Sequence, residues 1–245
     1  KLPKDVWFEK WEEFERAGVK FVPNTYIGKD KTLDELFDKD KFDAIFIGVG
    51  SEIDAKMEDT PGTDLPGMYE ATDFLIRGNV DPSQLPPDML EPLEVGKRVA
   101  VIGGGDTASD CLRTALRMGS EEVTCLYRRT EAEMPGGVKD RQMAKDEGSK
   151  YRFLTQPVKF LADEDGNLAA VECIEMVLGE PDDSGRRRPV PVENSNFSVG
   201  CDTAIMALGY WPDPILGKTT PDLETHNWGL IKTFDPETGE TSREG

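Results

Sequence analysis

Three glycines and an Asp-Thr pair end a short apolar run at residues 98–108, RVAVIGGGDTA, a pattern typical of a turn that holds a phosphate. The segment GGGDTA fits the pattern G-x-G-x-x-A, in which the glycines permit a tight turn and close approach of a pyrophosphate. The pyrophosphate would meet free N–H groups at a helix N-terminus, a helix that Asp106 or Thr107 can cap. The residues predict a dinucleotide-binding turn, with a structural glycine turn as the alternative.

Two adjacent arginines stand where the choice between the two nicotinamide dinucleotides is made. An NAD-binding unit carries Asp or Glu at the end of the next strand, about 20 residues beyond the glycines. This carboxylate accepts a hydrogen bond from the ribose 2′-hydroxyl. Here that strand runs into Arg128 and Arg129. Guanidinium groups bind a 2′-phosphate with paired hydrogen bonds, whereas a carboxylate would repel it. The pair favours NADP(H), and the alternative is a solvated basic pair at the strand's edge.

The elements around these residues alternate between strand and helix, as in a doubly wound parallel sheet of Rossmann-like α/β class. We predict a strand at 97–102, a turn at 103–106, a helix at 107–118, a strand at 122–129 and a helix that ends at Gly148. After residue 150, alternating residues broken by Asp-Gly and Ser-Gly turns predict an antiparallel meander. Its basic run, 186–188, is expected to be a solvated hairpin tip, balanced by the acidic residues before it.

Two similar segments flank this unit, which predicts one domain interrupted by another. FDAIFIGVGS at 42–51 and CDTAIMALGY at 201–210 each place an Asp before an apolar run and a glycine turn. The continuous apolar run of the first predicts a buried parallel strand. Near the N-terminus, an amphipathic helix is predicted to turn Trp7, Trp11 and Phe14 toward the core, followed by a short strand.

Composition excludes several classes of function. The chain has 245 residues and a net charge of −19, so its surface repels nucleic acid and anionic lipid. Its apolar runs are too short to cross a bilayer, and no signal peptide is visible. The four cysteines, at 111, 125, 173 and 201, have neither CxxC nor metal-ligand spacing and predict reduced thiols in a cytoplasmic protein.

Four segments carry a specific resemblance: GKRVAVIGGGDTASDCLRTALRMG, VTCLYRRTEAEMPG, LGEPDDSGRRRPVPV and CDTAIMALGY. Together they resemble the small (beta) subunit of bacterial NADPH-dependent glutamate synthase and its relatives in the pyridine nucleotide–disulfide oxidoreductase superfamily. The resemblance implies an NADP(H)-binding domain at 67–197 inserted into a truncated FAD-type domain at 1–66 and 198–245. It also implies that NADPH passes a hydride to FAD, and that electrons leave through iron–sulfur clusters to a partner such as the large (alpha) subunit.

The resemblance implies cofactor contacts as well. Those to NADPH come from the glycine turn, the arginine pair and the following loop: Gly103, Gly104, Gly105, Asp106, Thr107, Arg128, Arg129, Met134 and Pro135. The turns after the two outer apolar runs would lie where the two cofactors meet, or would be ordinary strand-end turns: Gly48, Gly50, Ala207 and Gly209. Hydride transfer between aligned rings needs no side-chain acid or base. No catalytic residue is therefore expected, and His226 is predicted to be a surface residue.

Three features of the family are missing: an N-terminal G-x-G-x-x-G for FAD, the upstream cluster cysteines and a C-terminal Gly-Asp pair. We expect a segment of a longer flavoprotein that by itself binds FAD weakly or not at all and is inactive. The acceptor stays open between glutamate synthase, an NADPH-linked ferredoxin or sulfide oxidoreductase and a module like that of dihydropyrimidine dehydrogenase. A non-catalytic NADP(H)-binding module is another alternative, and the lack of CxxC disfavours a disulfide reductase.

Overall fold

The computed structural model describes residues 4–181 and 185–245, and side chains from residue 6 onward. The chain divides into two compact units: unit 1, Lys1–Ser51 with Pro212–Gly245, and unit 2, Glu52–Trp211. The helices are α1 (Lys4–Arg16), α2 (Leu33–Asp38), α3 (Ala71–Asn79), α4 (Asp106–Arg117), α5 (Val138–Asp146) and α6 (Ile215–Thr219). The strands are β1 (Ile53–Asp54), β2 (Met68–Glu70), β3 (Arg98–Ile102), β4 (Glu122–Leu126), β5 (Lys150–Arg152), β6 (Thr155–Ala162), β7 (Leu168–Pro181), β8 (Arg187–Pro191), β9 (Phe197–Gly200), β10 (Thr203–Met206) and β11 (Tyr210–Trp211).

Unit 2 is built on a five-stranded parallel sheet with the order β2-β10-β3-β4-β5. The strand, glycine turn and helix predicted from the sequence are β3, the turn after it and α4, within one residue of the predicted bounds. The next strand, β4, ends at Leu126 and so stops short of the arginine pair. The predicted α/β class, a parallel sheet with an antiparallel meander, is confirmed.

Both faces of the parallel sheet are covered, which explains its unbroken apolar strands. Val99 and Val101 of β3 pack in one cluster with Leu112 of α4. Ala100 and Ile102 face the other way, because successive side chains of a strand alternate, and join a cluster with residues of the meander. Helices therefore cover one face, and an antiparallel sheet covers the other.

The predicted meander is a four-stranded antiparallel sheet in which the long strand β7 pairs with β6, β8 and β9. Strand β8 holds two residues of the basic run, Arg187 and Arg188. Of the acidic residues expected to balance that run, Glu180 is exposed on β7, whereas Asp182 and Asp183 lie outside the described residues. Across the part of the chain that the structure covers, no helix combines the length and apolar character needed to span a membrane.

Unit 1 departs from the sequence predictions at two places. Residues 42–51 form no strand and leave Phe46 96% exposed. The predicted short strand after α1 is also irregular. Trp7 and Phe14 of α1 are exposed rather than core-facing. Trp7 packs edge-on against Trp11 with ring centroids 6.3 Å apart, and Trp11 stacks on Phe21 with centroids 3.7 Å apart. Among the described residues of unit 1, no strand pairs with either segment, and Trp7, Phe14 and Phe46 stay exposed, although Ile45 and Ile47 pack against the small core of this unit.

The division into units differs from the predicted boundaries at 66/67 and 197/198. Strand β10 lies in the parallel sheet of unit 2, because its backbone pairs with both β2 and β3. Strands β1 and β11 pair with each other in the same unit. Unit 1 keeps a small core around Leu33, Leu216 and Leu223.

Candidate dinucleotide site

The glycine turn joins β3 to α4, and close contacts require two of its glycines. A Cβ at Gly103 would overlap the carbonyl oxygen of Ala207, and the backbone there has a φ of +145°, which L side chains rarely adopt. A Cβ at Gly104 would lie 2.5 Å from the ring of Tyr127. At Gly105 a Cβ would meet nothing within 4 Å, so this face of the turn is open to a ligand.

The N-terminus of α4 has no side-chain cap among the described residues. Gly105 is the N-cap residue, so the prediction that Asp106 or Thr107 caps the helix is wrong. Both side chains are engaged elsewhere. Asp106 Oδ1 accepts from the Gly137 N–H at 2.6 Å, and Thr107 Oγ1 accepts from the Tyr210 hydroxyl at 3.3 Å. The first N–H groups of α4 and its dipole therefore remain available to an anion.

The two arginines after β4 have different surroundings. Strand β4 ends at Leu126, which lies beside Ile102 of β3, so the pair starts at the same sheet edge as the glycine turn. Arg128 is exposed, and its guanidinium makes no hydrogen bond or ion pair to any described residue. Arg129 is only 6% exposed, and its Nε donates to the carbonyl of Arg187 at 2.8 Å. Arg128 is thus available to a phosphate, whereas Arg129 fastens β8 to the end of β4.

The loop between β4 and α5 is held by its own hydrogen bonds. Thr130 and Glu133 form a capping box around one turn of 3₁₀ helix. Hydrogen bonding from the Thr130 hydroxyl keeps the pKa of the Glu133 carboxyl below its usual range. The Tyr127 hydroxyl donates to the Glu133 carbonyl at 2.9 Å, which ties the loop to the residue before the arginines.

Met134 and Pro135, both predicted to lie near the cofactor, have different environments. Met134 is half-buried against the core between the sheet and its helices. Pro135 is exposed. The next residue, Gly136, donates its N–H to the carbonyl of Gly104 at 3.1 Å. The loop therefore lies directly against the glycine turn. Pro135 is accessible to solvent, whereas Met134 packs against the core.

The residues expected where two cofactors meet fall in both units. Ala207 contacts Gly103 through its carbonyl oxygen, so the turn after β10 is brought against the glycine turn. Gly209 follows with a φ of +98°. Gly48 and Gly50 belong to unit 1, on its irregular segment.

Two tyrosines of the site were missed at the sequence level. The ring of Tyr127 packs against Gly104, and the hydroxyl of Tyr210 donates to Thr107 at the start of α4. Each adjoins a residue that had been singled out, Arg128 in one case and Gly209 in the other. Their adjacency to predicted site residues was the available signal, but an aromatic residue beside a strand is too common to mark a site alone.

The chemistry of the site is binding and orientation. Cys125 donates its thiol to the carbonyl of Gly103 at 3.1 Å, and burial raises its pKa to about 12. This thiol stays protonated and is not a nucleophile at neutral pH. Among the described residues, no group of His, Cys, Asp and Glu could hold a metal ion. The open helix N-terminus, the open face at Gly105 and the exposed Arg128 fit a phosphorylated dinucleotide.

Unit 1 lacks an equivalent cradle among its described residues. It contains a cavity of about 910 Å³ lined in part by Ile45, Ile47 and Leu216. The N-terminus of α2 is closed by a capping box from Thr32, and α6 has only five residues. Neither helix follows a strand and a glycine turn, so these residues do not by themselves fit the pyrophosphate of a flavin dinucleotide.

Comparisons with known proteins agree with this geometry. A family model described as pyridine nucleotide-disulphide oxidoreductase matches residues 11–245. The chain is 42% identical over 238 residues to the putative oxidoreductase AegA of Escherichia coli, covering 94% of the chain and 35% of that protein. It is 38% identical over 233 residues to the glutamate synthase [NADPH] small chain of E. coli, covering 94% of the chain and 49% of that protein.

A solved structure shows the same fold. Mycobacterium tuberculosis FprA in complex with NADPH superposes with a TM-score of 0.66 at 20% identity, covering 84% of this chain and 59% of that chain. The chain therefore spans between about a third and a half of the two curated relatives it matches.

Proposed function

The chain belongs to the pyridine nucleotide-disulphide oxidoreductase family, and from that premise we propose that unit 2 binds NADPH for hydride transfer to FAD. The pyrophosphate lies at the open N-terminus of α4, against Gly105. The 2′-phosphate lies at Arg128. Unit 1 is assigned as part of the FAD-type domain.

Two features at the carboxyl ends of neighbouring parallel strands carry the proposal. One is a helix N-terminus without a side-chain cap, and the other is exposed Arg128, whose guanidinium has no hydrogen bond or ion pair among the described residues. Strands β3 and β4 are neighbours in parallel register, so the glycine turn after one and Arg128 after the other are adjacent. A dinucleotide that spans from pyrophosphate to adenosine ribose needs these two positions side by side. An aspartate or glutamate at the position of Arg128 would have favoured NADH.

The residues of this chain bind and orient rather than transfer protons. When bound, NADPH would supply a hydride that, with one proton, converts FAD to FADH₂ and leaves NADP⁺. The first N–H groups of α4, next to Gly105, would hold the phosphates, since the Gly103 N–H already donates to the carbonyl of Leu126. The contact between Ala207 and Gly103 would set the far wall of the site. Rate enhancement then comes from alignment of the reacting rings.

The acceptor beyond the flavin is proposed from the relatives. Similarity to a glutamate synthase [NADPH] small chain supports a module that passes electrons through iron–sulfur clusters to a large (alpha) subunit that makes glutamate. Similarity to the putative oxidoreductase AegA supports the alternative of another redox partner. The four free, buried cysteines support a reducing compartment, the cytoplasm.

A second candidate is an NADP(H)-binding module without turnover. For this chain alone it is supported by the described residues of unit 1, which form no cradle for a flavin pyrophosphate. Calorimetric titration of the chain with NADPH and with NADH, at low salt and without FAD, tests what both candidates share. We expect NADPH to bind at least tenfold more tightly, a difference of about 1.4 kcal/mol. Equal or absent binding would overturn the proposed function. Where NADPH does bind preferentially, reduction of added FAD by the chain would exclude the module without turnover.

A further inference from the structure

The proposed site consists of two backbone segments in direct contact. The first is the glycine turn, and the second is the loop that ends at Gly136 and Gly137. A Cβ at Gly136 would lie 2.8 Å from the carbonyl carbon of Gly105 and 3.0 Å from the carbonyl oxygen of Gly104. The loop can therefore approach the turn only because residue 136 lacks a side chain.

A side chain of the first segment holds the second. The Gly137 N–H donates to Oδ1 of Asp106 at 2.6 Å, a charge-assisted bond of the stronger kind. Asp106 is the first residue of α4, and Gly137 is the N-cap residue of α5. One hydrogen bond thus joins the starts of the two helices that flank the turn.

The rest of the loop has separate supports. The buried Arg141, 7% exposed, donates to the carbonyl of Gly136 at 3.3 Å and to Glu131 at 3.0 Å. Tyr127 holds the carbonyl of Glu133. These contacts hold residues 131–136 of the loop. The hydrogen bond from Gly137 to Asp106 therefore acts at the end of the loop, where α5 begins.

The charge of Asp106 makes its position unusual. An exposed carboxylate on the first residue of α4 stands beside the place proposed for the pyrophosphate, and like charges repel. Because the carboxylate of Asp106 repels the pyrophosphate, direct attraction of the ligand does not explain an acidic residue at this position. The hydrogen bond to Gly137 supplies one, and it requires an oxygen acceptor rather than a charge.

We propose that Asp106 is a positioning residue for the dinucleotide. Its side chain fixes Gly137 against the glycine turn, so that the two segments form one preorganised wall of the site. This inference rests on the proposed NADPH function and deepens it. Asparagine at this position keeps the Oδ1 acceptor and removes the charge, whereas alanine removes both. The two variants therefore separate the acceptor from the charge.

The first test compares the wild-type chain with Asp106→Asn and Asp106→Ala in calorimetric titrations. We expect Asp106→Ala to bind NADPH about tenfold more weakly and Asp106→Asn to restore binding to within about threefold of the wild type or better. The probe 2′,5′-ADP has no pyrophosphate, so Asp106→Ala is expected to weaken it less than NADPH. A purely structural loss would weaken both probes alike. Circular dichroism melting confirms that both variants fold.

The second test removes the other end of the same bond. Gly137 has a φ of −58°, which proline adopts readily, so Gly137→Pro deletes the donor without a change of φ. Its ring carbon Cδ takes the place of the hydrogen and displaces the carboxylate of Asp106 as well. Gly137→Ala is the matched control, because it adds a carbon and keeps the N–H. We expect Gly137→Pro to weaken NADPH more than Gly137→Ala does, and to add no further loss in the Asp106→Ala background.

The outcomes are distinct. Wild-type affinity in Asp106→Ala, equal loss in Asp106→Asn and Asp106→Ala, or additive losses in the double variant would each overturn the role of Asp106 while leaving the proposed function intact. Failure of the wild-type chain to bind NADPH would overturn the proposed function and this inference with it.

Discussion

Two stretches with nearly the same pattern have different structures in the two units. Residues 42–50, FDAIFIGVG, and residues 201–209, CDTAIMALG, align without a gap. At the equivalent central positions, Phe46 is 96% exposed on an irregular segment, whereas Ile205 is 0% exposed within β10. The turns that end both stretches are alike, since Gly50 and Gly209 both have positive φ, +68° and +98°.

The difference shows that the partners of a strand decide whether an apolar run becomes one. Strand β10 pairs with β2 on one side and β3 on the other. In the described part of unit 1, no strand pairs with residues 42–50. Strand propensity reflects packing against neighbours on a pleated surface more than an intrinsic backbone preference. The same pattern therefore gives a core strand in one unit and an exposed segment in the other.

The equivalent central residues give the largest contrast. Ile205→Ala removes fully buried carbons from the middle of the parallel sheet and is expected to lower the free energy of unfolding by about 3 kcal/mol. Phe46→Ala removes a larger side chain from an exposed position and is expected to change it by less than about 0.5 kcal/mol. Urea denaturation followed by circular dichroism measures both. A loss above about 2 kcal/mol for Phe46→Ala would show that residues 42–50 are packed as β10 is.

The two turn glycines are expected to behave alike. A Cβ at Gly50 or at Gly209 meets nothing within 4 Å, so alanine at either site pays only for its positive φ. Each substitution is expected to cost about 1 kcal/mol of unfolding free energy, and Gly209→Ala no less than Gly50→Ala because its φ is further from the allowed left-handed region. If the two costs differ by more than about 2 kcal/mol, the turns are not equivalent.

The equivalent aspartates give the smallest effect. Asp202 accepts hydrogen bonds from the side chain and the backbone N–H of Arg98, and this hydrogen bonding keeps the pKa of its carboxyl below its usual range. Because the folded pKa is lowered, its contribution to stability is present above about pH 4 and is lost as the pH falls through the folded value.

The aspartate prediction is tested by urea denaturation between pH 2.5 and 6. Asp202→Asn is expected to remove less than about 1 kcal/mol of pH-dependent stability, since the pair is partly exposed to solvent. Asp43 makes no ion pair to any described residue, so Asp43→Asn is the control. An acid dependence that persists unchanged in Asp202→Asn would contradict the assignment.

Much of unit 2 could be predicted from the sequence because its signals are local. The glycine turn at 103–105 lies between an apolar strand and a helix, and each of these elements is found within one residue of its predicted bounds. The glycine turn that ends the 201–209 stretch follows β10, which pairs with β2 and β3. Local pattern and tertiary context agree at these residues, as expected where a sequence is consistent across levels.

The details that sequence reasoning missed depend on contacts between distant residues. Arg128 and Arg129 are adjacent and identical in type, yet only Arg129 reaches the carbonyl of Arg187, 58 residues further along the chain. Asp106 looks like a helix cap, but its acceptor is taken by Gly137, 31 residues away. Neither partner can be found from spacing, because both come from the folding of the loop and the meander.

The central claim, that unit 2 binds NADPH through Arg128, is tested most directly by the ratio of the Kd values for NADH and NADPH in single-arginine variants. Arg128→Ala is expected to weaken NADPH by about tenfold to a hundredfold, to leave NADH unchanged and so to remove the preference. Arg129→Ala should lower stability but keep the preference. Arg16→Ala, an exposed arginine on α1, controls for net charge. A preference that survives in Arg128→Ala, or that is lost only in Arg129→Ala, would contradict the account.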